Sequence, residues 1–157
     1  MPEAAMGTAS GPAHPAAAPV EDRGTLVAFD FGEKRIGVAI GEIETGLAYA
    51  RPAIDVEGSD ARFAAIARLF SEWRPVRVVV GLPLATDGSA HAMTLRARRF
   101  ARQIEGRFRL LVVMVDERYT SVEAESRERA EPGAGGYGID SAAAQLILQQ
   151  YLRERGR

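Results

Sequence analysis

The chain has 157 residues, 46% of them hydrophobic and 26% charged, with a formal net charge of −1 and no cysteine. That length suits one domain with a core of its own, and the composition excludes both a wholly disordered chain and a bilayer-spanning one, since no apolar run approaches the roughly 20 residues such a helix needs. The lack of cysteine excludes disulfides and thiolate metal sites, fits a reducing cytoplasmic setting and leaves a monomer or a non-covalent dimer, while the near-zero charge confines any nucleic-acid role to a local patch.

Residues 1–23 are rich in Ala, Pro and Gly, with no apolar period and no aromatic anchor. They read as a disordered tail ahead of a domain over 24–157, and their prolines and late first basic residue, Arg23, do not make an export signal. From Thr25 two apolar runs, Thr25 to Phe31 and Ile36 to Gly41, flank the polar turn Gly32 to Arg35 and predict a hairpin. A third strand is expected over Leu47 to Arg51, closed by Pro52. Phe63, Ile66, Ala67, Phe70 and Trp73 recur at helical spacing over Asp60 to Trp73, and Pro75 ends that helix. Arg77 to Val80 reads as a buried strand, followed by a loop, a helix from about His91 to Glu105 and a strand over Arg109 to Val115. A helix over Thr120 to Ala130, a glycine-rich loop over Pro132 to Gly138 and a last helix over Asp140 to Glu154 complete the chain. Hairpin strands followed by alternating helices and strands predict an α/β fold, a mixed sheet of three antiparallel then parallel strands with helices on both faces.

Three carboxylates stand at element ends. Asp30 lies in an apolar strand, where an ionised carboxylate is costly unless compensated, and Gly32 after it lets the chain turn tightly. Taken alone, an edge position or an arginine partner would account for it. Glu117 follows the strand ending at Val115, where open sheets bind ligands; the plain alternative is a solvated turn before a capping box of Thr120 and Glu123. Asp140 precedes an apolar helix and reads, by itself, as its N-cap. As a set, three hard oxygen donors suit Mg²⁺ or Mn²⁺. His14 and His91 are too far apart in sequence and too few for a zinc triad. The stretch Arg96 to Arg109 carries six arginines against Glu105, and Arg98 and Arg102, one turn apart, could neutralise phosphates or simply form a solvated face.

Leu26-Val-Ala-Phe-Asp-Phe-Gly with Ile36-Gly-Val-Ala, Gly81-Leu-Pro-Leu with Asp87-Gly88, Asp116-Glu-Arg-Tyr-Thr-Ser-Val-Glu-Ala, and Asp140-Ser-Ala-Ala-Ala-Gln-Leu-Ile-Leu together resemble the YqgF family, in order, from about Gly24 to Tyr151. The resemblance implies an RNase H-like fold and a nuclease maturing the 5′ end of the small-subunit ribosomal RNA precursor, with Asp30, Glu117 and Asp140 as the catalytic, metal-holding acids and Arg118 and Thr120 as phosphate contacts. In one respect the chain departs from that family: the segment Pro132 to Ile139 has no lysine or arginine, so grip on substrate beside Asp140 would come from elsewhere. The same resemblance leaves open a Holliday-junction-type DNA resolvase and a non-catalytic nucleic-acid-binding assembly factor. The hairpin around Asp30 also resembles the first phosphate loop of sugar kinases, actin and Hsp70, but those need a second such domain, and no second phosphate loop is visible in these 157 residues.

Deleting residues 2–22 should leave the thermal midpoint within about 5 °C, the scale of one kcal/mol in a small domain. A larger drop in a thermal melt would contradict the tail reading.

Overall fold

The computed structural model describes residues 23–84, 87, 90–117 and 137–155. The tail at 1–22, the helix expected over Thr120 to Ala130, most of the glycine-rich loop, and Arg118 and Thr120 lie outside the described residues. In chain order the elements are β1 (Thr25–Asp30), β2 (Ile36–Glu42), β3 (Leu47–Ile54), α1 (Ser59–Trp73), β4 (Arg77–Leu82), α2 (Ala92–Phe108), β5 (Val112–Asp116) and α3 (Gly138–Arg155). The sheet runs β3-β2-β1-β4-β5, with β1, β2 and β3 antiparallel and β1, β4 and β5 parallel.

Strand alternation sends successive side chains to opposite faces. Val27, Phe29, Val38, Ile40, Val78 and Val80 face α1 and α2, where they meet Phe63, Ile66, Phe70, Phe100 and Ile104. Phe29 is the centre of that layer, its ring 6.0 Å from Phe70 and 5.6 Å from Phe100. The other set, Leu26, Ala28, Ala39, Ala48, Val79 and Val115, packs against Ala144, Ile147, Leu148 and Leu152 of α3. Helices thus cover both faces, as the element order predicts. Among the described residues no helix is long and apolar enough to cross a membrane.

Three boundaries differ from expectation, each for a local reason. β3 continues through Pro52 to Ile54 because it is the edge strand, and the pairing shifts by a residue between Ile36/Ile54 and Val38/Arg51. An edge bulge is where a residue without an N–H is tolerated. Helix α2 runs on to Phe108, whose ring packs on Phe70 at 4.9 Å, and β5 therefore begins at Val112 and not Arg109. Arg109 instead closes α2 in the left-handed region (φ 56°), its N–H donating to Glu105 O at 2.9 Å. Helix α3 begins at Gly138, which puts Asp140 inside its first turn.

What holds α3 close is a run of small residues. Gly37, Ala39 and Gly41 alternate along β2 on the α3 side, and a Cβ at Gly37 would sit 2.0 Å from the Asp140 carbonyl oxygen, one at Gly41 2.8 Å from Leu148 Cδ2. The closeness lets the buried Ser141 hydroxyl accept from Val38 N–H at 3.1 Å. It also lets α3 cover the free edge of β3: Gln149 Oε1 accepts from Ala48 N–H at 3.2 Å, Gln145 Nε2 donates to Ala48 O at 2.9 Å, and Gln149 Nε2 donates to Gly46 O at 2.7 Å. Satisfying edge-strand groups this way removes a template for unwanted strand pairing.

Gly37→Ala should therefore destabilise by about 1–3 kcal/mol or more, since overpacking against backbone leaves nothing that can give way. Gly106→Ala, where a Cβ meets nothing within 4 Å in α2, should instead stabilise by about 0.5–1 kcal/mol. Denaturant midpoints of the two variants check both signs, and equal midpoints would refute the packing argument.

Candidate functional site

Asp30 ends β1, and Gly37 is its partner across β2. The parallel register sets Phe29 beside Val80 and Gly81 beside Val115. Asp30, Gly81 and, two residues past Val115, Glu117 consequently share the sheet face that α3 covers, at the carboxyl ends of three adjacent parallel strands. Glu117 continues the ladder by one bond, its N–H donating to Leu82 O at 3.2 Å.

Gly81 sits between the two acids and contributes no side chain. A Cβ there would come within 2.8 Å of Glu117 Oε2 and 2.5 Å of Ile147 Cδ1. The Glu117 carboxyl thus lies over bare backbone and reaches Asp30, with which it shares a side-chain hydrogen bond. Such a bond between two carboxyls requires one proton between them. Glu117 is buried, 8% exposed, and Asp30 is partly buried. Burial is the largest cause pushing both well above the usual carboxylate range; for Asp30 the hydrogen bond from Glu117 partly offsets this and the charge of Asp140 adds to it, while for Glu117 the charge of Asp30, their shared bond and Asp116 all add. Both groups therefore keep their protons to higher pH than ordinary carboxyls do.

Asp140 is placed by α3 and Gly37, but it does not act as the N-cap the sequence suggests. It lies within the first turn, where the helix dipole favours an anion, and its Oδ2 accepts from Arg35 Nε at 3.1 Å. Arg35 ends the turn after β1, which is tight because a Cβ at Gly32 would come 2.5 Å from Arg35 O. Gly32, Glu33, Lys34, Arg35, Met93 and Asp140 line a cleft of about 410 Å³ at this end of the sheet. Asp30 and Glu117 are thus together and Asp140 is near enough to act on Asp30 by its charge, yet Asp140 is drawn toward Arg35. Among the described residues no three acidic or histidine side chains are disposed to hold a metal ion as they stand.

Arg98 and Arg102 are not brought to the acids. They are exposed on α2, in the helix layer opposite α3, and no ion pair joins either to another described residue. Half of the arginine stretch has structural work: Arg96 pairs with Glu33, Arg107 stacks 4.1 Å over the Phe63 ring, and Arg109 closes α2. His91 caps α2, its Nδ1 accepting from Met93 N–H at 3.2 Å, and Thr94 ties the helix start to the carbonyl of Pro83. Sequence reasoning missed Arg35 as the partner of Asp140 and Gly81 as the space for Glu117. The signal for Gly81 was available, a glycine interrupting the β-branched run of a buried strand.

The chain is similar to known proteins along nearly all of the domain. Residues 24–154 match the family RuvX, described as Holliday junction resolvase. A protein of Methylobacillus flagellatus named "Putative pre-16S rRNA nuclease" is 52% identical over 134 residues, covering 83% of this chain and 91% of its own. One of the same name from Burkholderia mallei is 52% identical over 128 residues, 82% and 87% of the two chains. Among solved structures, Fowlpox virus resolvase bound to Holliday junction DNA superposes with a TM-score of 0.56 at 11% identity, covering 85% of this chain and 99% of that one. T. thermophilus RuvC with its Holliday junction substrate gives 0.51 at 17% identity, covering 84% and 96%. These two likenesses establish the RNase H-like fold.

A raised carboxyl pKa favours folding fully below the ordinary carboxylate range and loses that contribution as pH rises, because the unfolded chain then ionises while the folded pair resists. In EDTA the melting temperature of the protein should fall relative to that of Glu117→Gln as pH rises from about 5 to about 9, since glutamine has no proton to lose. Parallel curves for the two proteins across that range would show that the pair is not strained.

Proposed function

This chain belongs to the RuvX family, and on that premise we propose that it is a cytoplasmic nuclease that hydrolyses phosphodiester bonds at the 5′ end of the pre-16S ribosomal RNA during ribosome biogenesis. The observation that carries the reading is the Asp30–Glu117 pair, a buried and a partly buried carboxyl in contact beside Gly81, with Asp140 close enough to act on Asp30 by its charge. Carboxylates buried together without a cation are costly to a fold, and a phosphodiester cleft gives them a use. The name shared by relatives 52% identical to the chain supports ribosomal RNA over DNA as substrate. The family's own description favours a four-way DNA junction as the second reading.

Asp30, Glu117 and Asp140 would hold Mg²⁺ or Mn²⁺, whose preference for carboxylate oxygen fits a donor set without thiolate or imidazole. Bound there, such an ion polarises the phosphoryl oxygen and lowers the pKa of a coordinated water. The chain supplies the rest. Asp30 and Glu117 would serve as ligands in their deprotonated form, burial would keep their charge unscreened by bulk water, and Gly81 leaves the space that Glu117 occupies. Asp140 would have to turn from Arg35 toward the pair to join them. Arg118 and Thr120, next to Glu117 in sequence, would contact phosphate near the cut, and Arg98 and Arg102 the more distant backbone.

Asp30→Asn, Glu117→Gln and Asp140→Asn should each abolish cleavage of pre-16S RNA with Mg²⁺ or Mn²⁺ while the circular dichroism spectrum stays native. Four-way DNA junctions assayed in parallel, and EDTA controls, separate the two substrates and an assembly factor that binds without cutting. Wild-type turnover by Asp140→Asn would refute the three-carboxylate site. Replacing both Arg98 and Arg102 by glutamine should flatten the salt dependence of RNA binding by roughly one unit of slope per lost phosphate contact. An unchanged slope would make this face of α2 a solvated surface only.

A further inference from the structure

We propose that Arg35 is a substrate-phosphate-binding residue held in reserve by Asp140, exchanging partners when the acidic site fills. The inference rests on the nuclease reading above. The Arg35 Nε–Asp140 Oδ2 contact is 3.1 Å, and both side chains are partly open to solvent, 50% and 33% exposed. The pair can therefore open without uncovering core. It also lines the cleft of about 410 Å³ that lies against Asp140, so a guanidinium released from the carboxylate stays in the cleft.

Two further observations point the same way. Asp30 and Glu117 are already in contact, while Asp140, paired with Arg35, does not complete a set of three with them among the described residues. The separation has a structural cause: α3 is fixed by Gly37 and Ser141, so only the Asp140 side chain is left to choose between Arg35 and the acidic pair. The chain also has no lysine or arginine between Arg129 and Asp140, and among the described residues Arg35, from the β1–β2 turn, places a guanidinium at that carboxylate. A planar guanidinium binds phosphate oxygens through paired N–H groups as readily as it binds carboxylate. A divalent cation taking Asp140 thus frees Arg35 for a phosphate, and a phosphate taking Arg35 frees Asp140 for the cation. The two binding events assist each other, as linkage requires when both break the same contact.

The test measures two affinities on Arg35→Gln, Arg35→Lys and wild-type protein. Mn²⁺ affinity without nucleic acid is read from the electron paramagnetic resonance of free Mn²⁺. Affinity for a 5′-labelled RNA oligonucleotide is read by fluorescence anisotropy in Ca²⁺ and in EDTA, with a gel confirming intact RNA. Arg35→Gln should bind Mn²⁺ several-fold more tightly and RNA roughly ten-fold more weakly in Ca²⁺, the scale of a charge-assisted contact, with a much smaller RNA loss in EDTA. Arg35→Lys should recover part of the RNA affinity. Lys34→Gln removes a neighbouring charge of the same turn and should change Mn²⁺ affinity much less than Arg35→Gln. A surface salt bridge without function would move neither affinity, and that result, or an equal RNA loss in EDTA and Ca²⁺, overturns the exchange. If wild-type protein bound no Mn²⁺ at all, the metal-dependent site would fall, and this inference with it; normal wild-type binding with an indifferent Arg35→Gln overturns the role of Arg35 alone.

Discussion

Two carboxyls cannot be buried side by side without room and without either a proton or a cation between them. In this chain the room is Gly81, whose missing side chain leaves bare strand backbone under Glu117, and the tie is the hydrogen bond to Asp30. The order β1-β4-β5 puts that glycine on the strand between those bearing the two acids, so the parallel half of the sheet is what brings residues 30 and 117 together. The raised affinity of both groups for protons is the cost of that arrangement in the free protein, and it marks the place where the fold departs from what stability alone would select.

The rest of the architecture fixes the third acid relative to this pair. Helix α3 rests directly on β2 at Gly37, is tied to it through Ser141 and Val38, and clasps the edge of β3 with Gln145 and Gln149. A helix so held cannot slide, and its first turn delivers Asp140 to the end of the sheet where Asp30 lies. The β1–β2 turn is fixed from the other side by Arg62 and Arg96, which bind the carbonyl and the carboxylate of Glu33. Arg35 therefore projects from an anchored turn, and the freedom left at the site is in side chains, not in backbone.

Much of this is legible in the sequence because it follows from periodicity. Alternation along β1 assigns Val27 and Phe29 to one core and Leu26 and Ala28 to the other, and the same parity places Asp30 with the second set. The spacing of Phe63, Ile66 and Phe70 gives α1 directly. What was not legible depends on neighbours distant in the chain. Pro52 looks like a strand terminator until β3 is known to be an edge with a bulge, and Arg109 looks like strand until Phe108 is seen to pack on Phe70. Asp140 looks like a cap because nothing local announces Arg35, 105 residues earlier, as its partner. Within the arginine stretch the sequence singles out Arg98 and Arg102 but does not announce the separate structural tasks of Arg96, Arg107 and Arg109.

A divalent cation in the proposed site takes the place of the proton shared by Asp30 and Glu117. Calorimetric titration of Mn²⁺ into the protein at neutral pH, repeated in two buffers of different ionisation enthalpy, counts the protons released on binding. About one proton should leave per ion bound by the wild-type protein, since ligands must be deprotonated, and none from Glu117→Gln. Binding without proton release, or the same release from both proteins, would contradict that exchange.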